Sequence, residues 1–220
     1  MNKIYLLFIA VVILSCSTPS DQLSGPELIQ KSIEFHDPNQ VWPKLKATFK
    51  FTDSLPAPRE SRSYSVSFEN NLSKMVYRNP DLNYIVWNDS VEVFEGEIEN
   101  ERAIRMRNYY TYLWGLPMKL DDPGTKIDQE VNKEELDGKS YLVARVPYEK
   151  DIWYFYIDPV SYRLEAYKFY QDEPNQKGEI IYLDGVKEFK GLKIPANRTW
   201  YRTETLEFLG TDKLIEIIEK

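Results

Sequence analysis

Nucleophilic and metal-binding chemistry has few places to sit in this chain. Its 220 residues include one histidine, His36, and one cysteine, Cys16. That count excludes a zinc site built on several histidines and any intrachain disulfide. A Ser-His-Asp arrangement would have to use His36, which the pattern places at a helix end, where its expected task is to bond the last carbonyls. There is no Gly-x-Ser-x-Gly turn and no glycine-rich phosphate loop. The pairs Asp121-Asp122 and Glu134-Glu135 carry the groups that glycoside hydrolysis needs, but adjacent acids on loops and strand ends are ordinarily solvated surface. Asp121, Asp122 and Asp128 offer oxygens to calcium at a spacing that matches no EF-hand. Arg102, Arg105 and Arg107, with Lys119, form a cationic set suited to a phosphate or lipopolysaccharide headgroup, against a plain solvated helix face. The expectation is a binding protein, not an enzyme, with no cofactor and no metal. An unrecognised periplasmic hydrolase is the remote alternative.

Cys16 closes a recognisable leader. Lys3 gives a charged start, residues 4–14 are an almost unbroken apolar run of eleven, and Ser15 is a small residue before the thiol. This is the layout of a secretory signal, and the run falls short of the about 20 residues that a membrane-spanning helix needs. The stretch Ile13-Leu14-Ser15-Cys16 resembles the lipobox of bacterial lipoproteins. That resemblance implies a diacylglycerol and an amide-linked acyl chain, such as palmitate, on Cys16, enough for stable anchoring. Residues 1–15 then read as the signal peptide, 16–25 as a small, polar, lipidated tether, and 26–220 as a single domain. Ser17, where an acidic residue would resemble an inner-membrane retention signal, favours the outer membrane facing the periplasm.

The remainder is read as a soluble domain on that tether. The formal net charge of −7 argues against a nucleic-acid partner, which would want a basic face, and against attraction to anionic lipid. Sixteen Tyr, ten Phe and five Trp supply the apolar area for a core, at about 25 cal/mol per Å² buried.

Two helical patterns interrupt a series of strands. Ser24-Gly25-Pro26-Glu27 is a helix start; Leu28, Ile29, Ser32, Ile33 and Phe35 follow on one face, and His36-Asp37-Pro38 stops it. Ala103, Met106, Tyr110, Leu113 and Trp114 recur at helical spacing within residues 99–114. Alternation predicts strands at 45–51, 62–69, 72–78, 84–87 and 91–94 before that helix. After it come 130–135, 140–146, 152–157, 163–170, 179–183, 187–189, 197–202 and 214–218. The fold class is α+β, with one antiparallel sheet, an N-terminal helix and an inserted central helix.

This order is similar to the LolA/LolB-like fold, as is Trp153-Tyr154-Phe155-Tyr156-Ile157-Asp158-Pro159 followed by Leu164-Glu165-Ala166-Tyr167-Lys168-Phe169. With His36-Asp37-Pro38, Trp42 and the run Lys193-Ile194-Pro195-Ala196-Asn197-Arg198-Thr199-Trp200-Tyr201, the chain also resembles a family of uncharacterised Gram-negative envelope lipoproteins. The resemblance implies a strongly curved antiparallel half-barrel around helices, with a cavity for an acyl chain, a lipid or a lipoprotein. From the residues alone, large apolar groups stand on both faces of 152–157 and 164–170. That fits a ligand in the concave side, and equally a filled core with exposed tyrosines. The expected lining is Trp87, Phe94, Trp114, Trp153, Phe155, Tyr167, Phe169 and Trp200. An alternative of a different class is an envelope sensor or assembly scaffold that binds a protein partner at an open sheet edge.

Overall fold

The computed structural model describes residues 23–220; the leader and Cys16 lie outside the described residues. Helix α1, Gly25–His36, starts with a capping box. The Glu27 N–H donates to the Ser24 hydroxyl at 3.4 Å, and the Ser24 N–H donates to the Glu27 carboxylate at 2.8 Å, so two orphan donors of the first turn are satisfied reciprocally. Its buried face carries Leu28, Ile29, Ser32 and His36. Asp37 then ends it and accepts the N–H groups of Val41 (2.7 Å) and Trp42 (2.8 Å), turning the chain into a 3-10 turn at Trp42–Lys44. A hydrophobic Trp42 is thereby held under the sheet rim.

Five strands follow: β1 (Lys46–Ser54), β2 (Ser63–Glu69), β3 (Lys74–Arg78), β4 (Asn83–Trp87) and β5 (Ser90–Glu95). Helix α2, Asn100–Trp114, comes next. The chain then resumes with β6 (Val131–Leu136), β7 (Lys139–Pro147), β8 (Ile152–Ile157), β9 (Leu164–Asp172), β10 (Lys177–Phe189), β11 (Leu192–Arg202) and β12 (Phe208–Glu219). All twelve form one antiparallel sheet in the order β5-β4-β3-β2-β1-β12-β11-β10-β9-β8-β7-β6. It is curved and not closed, a half-barrel whose edges are β5 and β6. Helix α2 connects those two edges and therefore crosses the open mouth. In β1, Ala47, Phe49, Phe51 and Asp53 are buried while Lys46 and Lys50 are exposed, the period of two that a one-sided sheet requires.

Three local readings need correction. Residues 179–183 and 187–189 are not two strands but one, β10. Gly185 sits between them at φ 63°, a left-handed residue that bends the strand without ending it. Strand β12 begins at Phe208, six residues before the predicted start, because a mixed polar segment pairs with β11 through Asn197↔Lys213 and Arg198↔Asp212. Strict alternation from Tyr167 would put Leu164 on the opposite face, yet it shares the interior with Tyr167. A bulge between Tyr156 and Ile157 shifts the β8–β9 register, so Ile157 pairs with Leu164 and Tyr156 with Ala166.

His36 does not bond the last carbonyls of α1. Its ring is 1 % exposed; Nδ1 meets the Lys193 carbonyl at 2.7 Å and Nε2 accepts the Leu164 N–H at 3.1 Å. A backbone donor on Nε2 fixes the proton on Nδ1, so the neutral ring bridges α1, β9 and β11. Burial pulls its pKa down to about 4, against the carbonyl bond that favours the cation, and Arg163, Arg198 and Lys193 push the same way as burial. The unfolded chain gains a proton below about 6.5, whereas the folded one gains it only near 4. Stability is therefore full above pH 6.5, falls by about 3 kcal/mol as pH drops through that window, and levels off below it. Urea denaturation at pH 7.5 and pH 4.2 should show this loss. His36→Leu should abolish the His-linked slope and lower stability at pH 7.5 by about 1–3 kcal/mol for each orphaned backbone group.

Candidate ligand site

The concave face is lined by aromatics that pack on the two helices. Beneath α2, the rings of Phe51, Tyr64, Tyr77 and Tyr84 stack in sequence across β1 to β4, with centroids 5.0, 5.7 and 5.4 Å apart. Tyr110 and Trp114 of α2 press onto this ladder. On the other half, Trp153 stacks on Tyr167 at 5.6 Å and on Phe169 at 4.8 Å. Tyr112 meets its edge at 5.3 Å and shares a 2.9 Å hydrogen bond with the Tyr148 hydroxyl. Pairs at these separations gain from offset and edge geometry beyond area burial.

A single guanidinium joins the two halves to α2. Arg198 of β11 is 1 % exposed; it donates to the carbonyls of Pro195 (3.0 Å) and Leu113 (3.1 Å) and lies 3.6 Å over the Trp114 ring. Leu113 is in the last turn of α2, where unpaired carbonyls make a cation favourable. Arg198 Nε and the Tyr167 hydroxyl have no partner among the described residues, and burial draws the guanidinium below its usual pKa. Beside it on β12, burial holds the Asp212 carboxyl above its usual value, although it accepts the Trp200 Nε1–H at 3.0 Å.

One end of the half-barrel holds a cavity of about 860 Å³. Its walls are the C-terminal half of α1, the C-terminal half of α2, the turn between β2 and β3, and a 3-10 turn at Met118–Asp121. Ile33, Trp42, Tyr112 and Met118 form its apolar side, and Glu34, Lys74, Arg107, Lys119, Asp121 and Asp122 its polar side. Arg107 Nη1 donates to the Ser73 carbonyl at 3.1 Å and has no carboxylate within salt-bridge range among the described residues, whereas Lys119 is paired with Asp122.

None of the eight expected lining aromatics borders this cavity. Trp114, Trp153, Phe155, Tyr167 and Trp200 are buried in the packed interior, with Phe169 packed against them. Trp87 and Phe94 stand 54 % and 58 % exposed, at and beside the sheet edge. Of the four cations noted in the sequence, Arg107 and Lys119 reach the cavity and Arg102 and Arg105 do not; Asp121 and Asp122 reach it as well. Ile33, Tyr112 and Met118 were missed. The signal was available only in part: Ile33 belongs to the apolar face of α1, but nothing local says that this face looks into open space. Among the described residues, no three His, Cys, Asp or Glu side chains converge as a metal site, and no helix is long and apolar enough to cross a membrane.

These features define a LolA-like half-barrel. Solved structures share it across nearly the whole chain. A LolA superfamily protein from Nitrosomonas europaea aligns with TM-score 0.57 at 9 % identity, over 90 % of this chain and 94 % of that one. A DUF1329 family protein from Desulfovibrio piger aligns with TM-score 0.56 at 8 % identity, over 90 % and 94 %. A putative outer membrane lipoprotein-sorting protein domain from Vibrio parahaemolyticus gives 0.50 at 9 %, over 89 % and 93 %. Identities this low speak for the fold. By sequence, residues 85–217 match the family of unknown function DUF6503, to which the chain belongs. No curated protein matches it.

The joint at Arg198 yields a prediction. Arg198→Ala should destabilise the domain by about 2–5 kcal/mol, through the void beside Trp114 and the loss of the charge-assisted bonds to the Pro195 and Leu113 carbonyls. Hydrogen exchange should rise most in the last turn of α2. Uniform loosening of the sheet would contradict the assignment of Arg198 as the tie between helix and sheet.

Proposed function

We propose that this protein is an envelope lipoprotein held by an acylated Cys16, facing the periplasm from the outer membrane. In this reading it binds an amphiphile, the acyl chain of a lipid or lipoprotein, within its half-barrel. The observation that carries the reading is the cavity of about 860 Å³ with one apolar and one polar side. Its size falls within the roughly 300–1,000 Å³ typical of small-ligand sites. A phosphate or carboxylate head would rest at Arg107, beside Lys119, and the tail would run past Ile33, Trp42 and Met118 into the seam between helices and sheet. That seam is filled by the protein's own rings, so a tail must displace them or lift α2. Each methylene withdrawn from water contributes about 0.8 kcal/mol towards that cost.

Full-length protein extracted in mild detergent and examined by native mass spectrometry should carry about one acyl-bearing lipid per chain. Delipidated protein should rebind a fluorescent fatty acid. Thr111→Trp, which fills the cavity from α2, should weaken rebinding at least tenfold. Arg107→Ala should weaken an anionic probe more than a neutral one. A ligand-free preparation that also ignores the probe would end this reading.

The anchor is tested separately. Cys16→Ser should move the protein from the membrane to the soluble fraction and remove the acyl mass. Unchanged fractionation would argue for another mode of attachment.

A further inference from the structure

An open sheet leaves two edges, and here they differ. Strand β6 carries Lys133 on its exposed run, and Glu134 is engaged by Lys168 (3.2 Å) and by the Tyr156 hydroxyl (2.6 Å). Lysine and engaged charge are common means of blunting an edge. Strand β5 has neither, and its one irregularity is a bulge confined to its C-terminal end, opposite Asn83 and Tyr84. Its sequence, Ser90-Val91-Glu92-Val93-Phe94-Glu95, alternates without lysine or proline, and five of the six residues are exposed.

The register tells which backbone groups are free. Trp87 pairs with Ser90 across a two-residue turn, and Ile85 pairs with Glu92. A two-residue hairpin makes the first of these a bonded pair and Ile85–Glu92 the next, so Ser90 and Glu92 turn their N–H and C=O towards β4. By the same alternation Val91 and Val93 turn theirs outward, where β5 is the last strand of the sheet, and neither residue makes a turn or loop bond among the described residues. Beside this row Trp87, Val93 and Phe94 are 54 %, 37 % and 58 % exposed.

Charge selects the occupant. Glu92, Glu95, Glu97 and Glu99 are exposed along and just beyond β5, and none of them has a salt-bridge partner among the described residues. Asp89 adds a further carboxylate at the turn, while Arg102 and Arg105 lie on the following helix. A second copy added antiparallel through Val91 and Val93 would set Glu92 against the Glu92 of its twin and Glu95 against Asp89, and like charges across strands destabilise pairing. The acidic run would also be repelled by anionic lipid headgroups. We propose that β5 is a docking edge for an extended, lysine- or arginine-bearing segment of a partner protein, which adds as a further antiparallel strand. Backbone bonds to Val91 and Val93 give affinity, the glutamates select basic side chains, and Trp87 and Phe94 cover the segment's apolar positions. This stands apart from lipid carriage, because β5 does not border the cavity.

The test uses the full-length lipidated protein in detergent and a fluorescein-labelled heptapeptide that alternates lysine and valine. Binding should weaken with salt and should protect the Val91 and Val93 amides from hydrogen exchange. Val93→Pro removes an outward N–H that β4 does not use, so it should keep the fold by far-UV circular dichroism and bind at least tenfold more weakly. The double variant E92K/E95K should lose the basic peptide to the same extent and gain a glutamate–valine counterpart. Should Val93→Pro unfold, the charge-reversed variant carries the test by itself. Four results would overturn the proposal: no binding; equal binding by both variants; amide protection that follows protein concentration without peptide, which means a second copy; or protection that appears only with phosphatidylcholine vesicles, which means a membrane surface.

Discussion

The pairing of β1 with β12 is the constraint on which the architecture depends. Every other neighbouring pair in the sheet is also adjacent in sequence, so each meander can form from local hairpins. The seam from Ala47↔Glu219 to Ser54↔Thr211 joins them across almost the whole described chain. It bears the largest loop-closure cost in the fold. Phe49 and Phe51 enter the core from β1 and Leu214 from β12, and an exposed Lys50–Glu216 contact of 2.9 Å lies outside. A register shift between Lys50 and Phe51 adds twist at the seam. Once the seam forms, the free edges must be β5 and β6. The segment between them has no route but across the mouth, and that segment is α2.

Helix α2 is poorly equipped to stand alone. Glu99 makes no side-chain cap, and the helix gains only Glu101 as an acid in its first turn. Its order comes from tertiary contacts: Ala103, Tyr110 and Trp114 on one aromatic wall, Leu113 on the other, and Arg198 at its end. Burying a guanidinium without a carboxylate is costly. Here the carbonyls of Leu113 and Pro195 and the face of Trp114 replace part of its hydration, so the cost falls on the joint between helix and sheet. The tie and the strain sit in the same place.

Much of this was legible. Ser24 and Glu27 announced a capped helix, the alternation in β1 separated wet from dry, and the helical spacing of Ala103, Tyr110 and Trp114 placed α2 between two meanders. What escaped were features decided by distant partners. His36 looks like a helix-end residue until β9 and β11 arrive on either side of its ring. Leu164 changes face because of the bulge at its neighbour Glu165, which only the pairing with β8 reveals. Trp87 and Phe94 are as apolar as Trp153 and Phe155, yet they lie by an edge, and strand order is not written in any single strand. The cavity was half visible: Arg107, Lys119, Asp121 and Asp122 stood out by charge, whereas Ile33 was one residue of an apolar helix face and Met118 lay outside every pattern.

The filled interior also follows from packing. A wide, dry hollow open to water at its ends would lose the close packing on which folded chains rely. Stacked rings from β1 to β4 and from β8 to β11 occupy that volume instead, and in the proposed reading they would exchange their mutual contacts for contacts with a hydrocarbon chain. Polar groups line one side of the cavity, where Arg107 and the Asp122-bound Lys119 stay partly exposed. A half-barrel built this way need not hold empty apolar space in order to accept apolar matter. On the proposed reading it needs a helix whose hold on the sheet can be exchanged for a ligand's, and α2 is uncapped at its start, tied at its middle by Arg107 and at its end by Arg198.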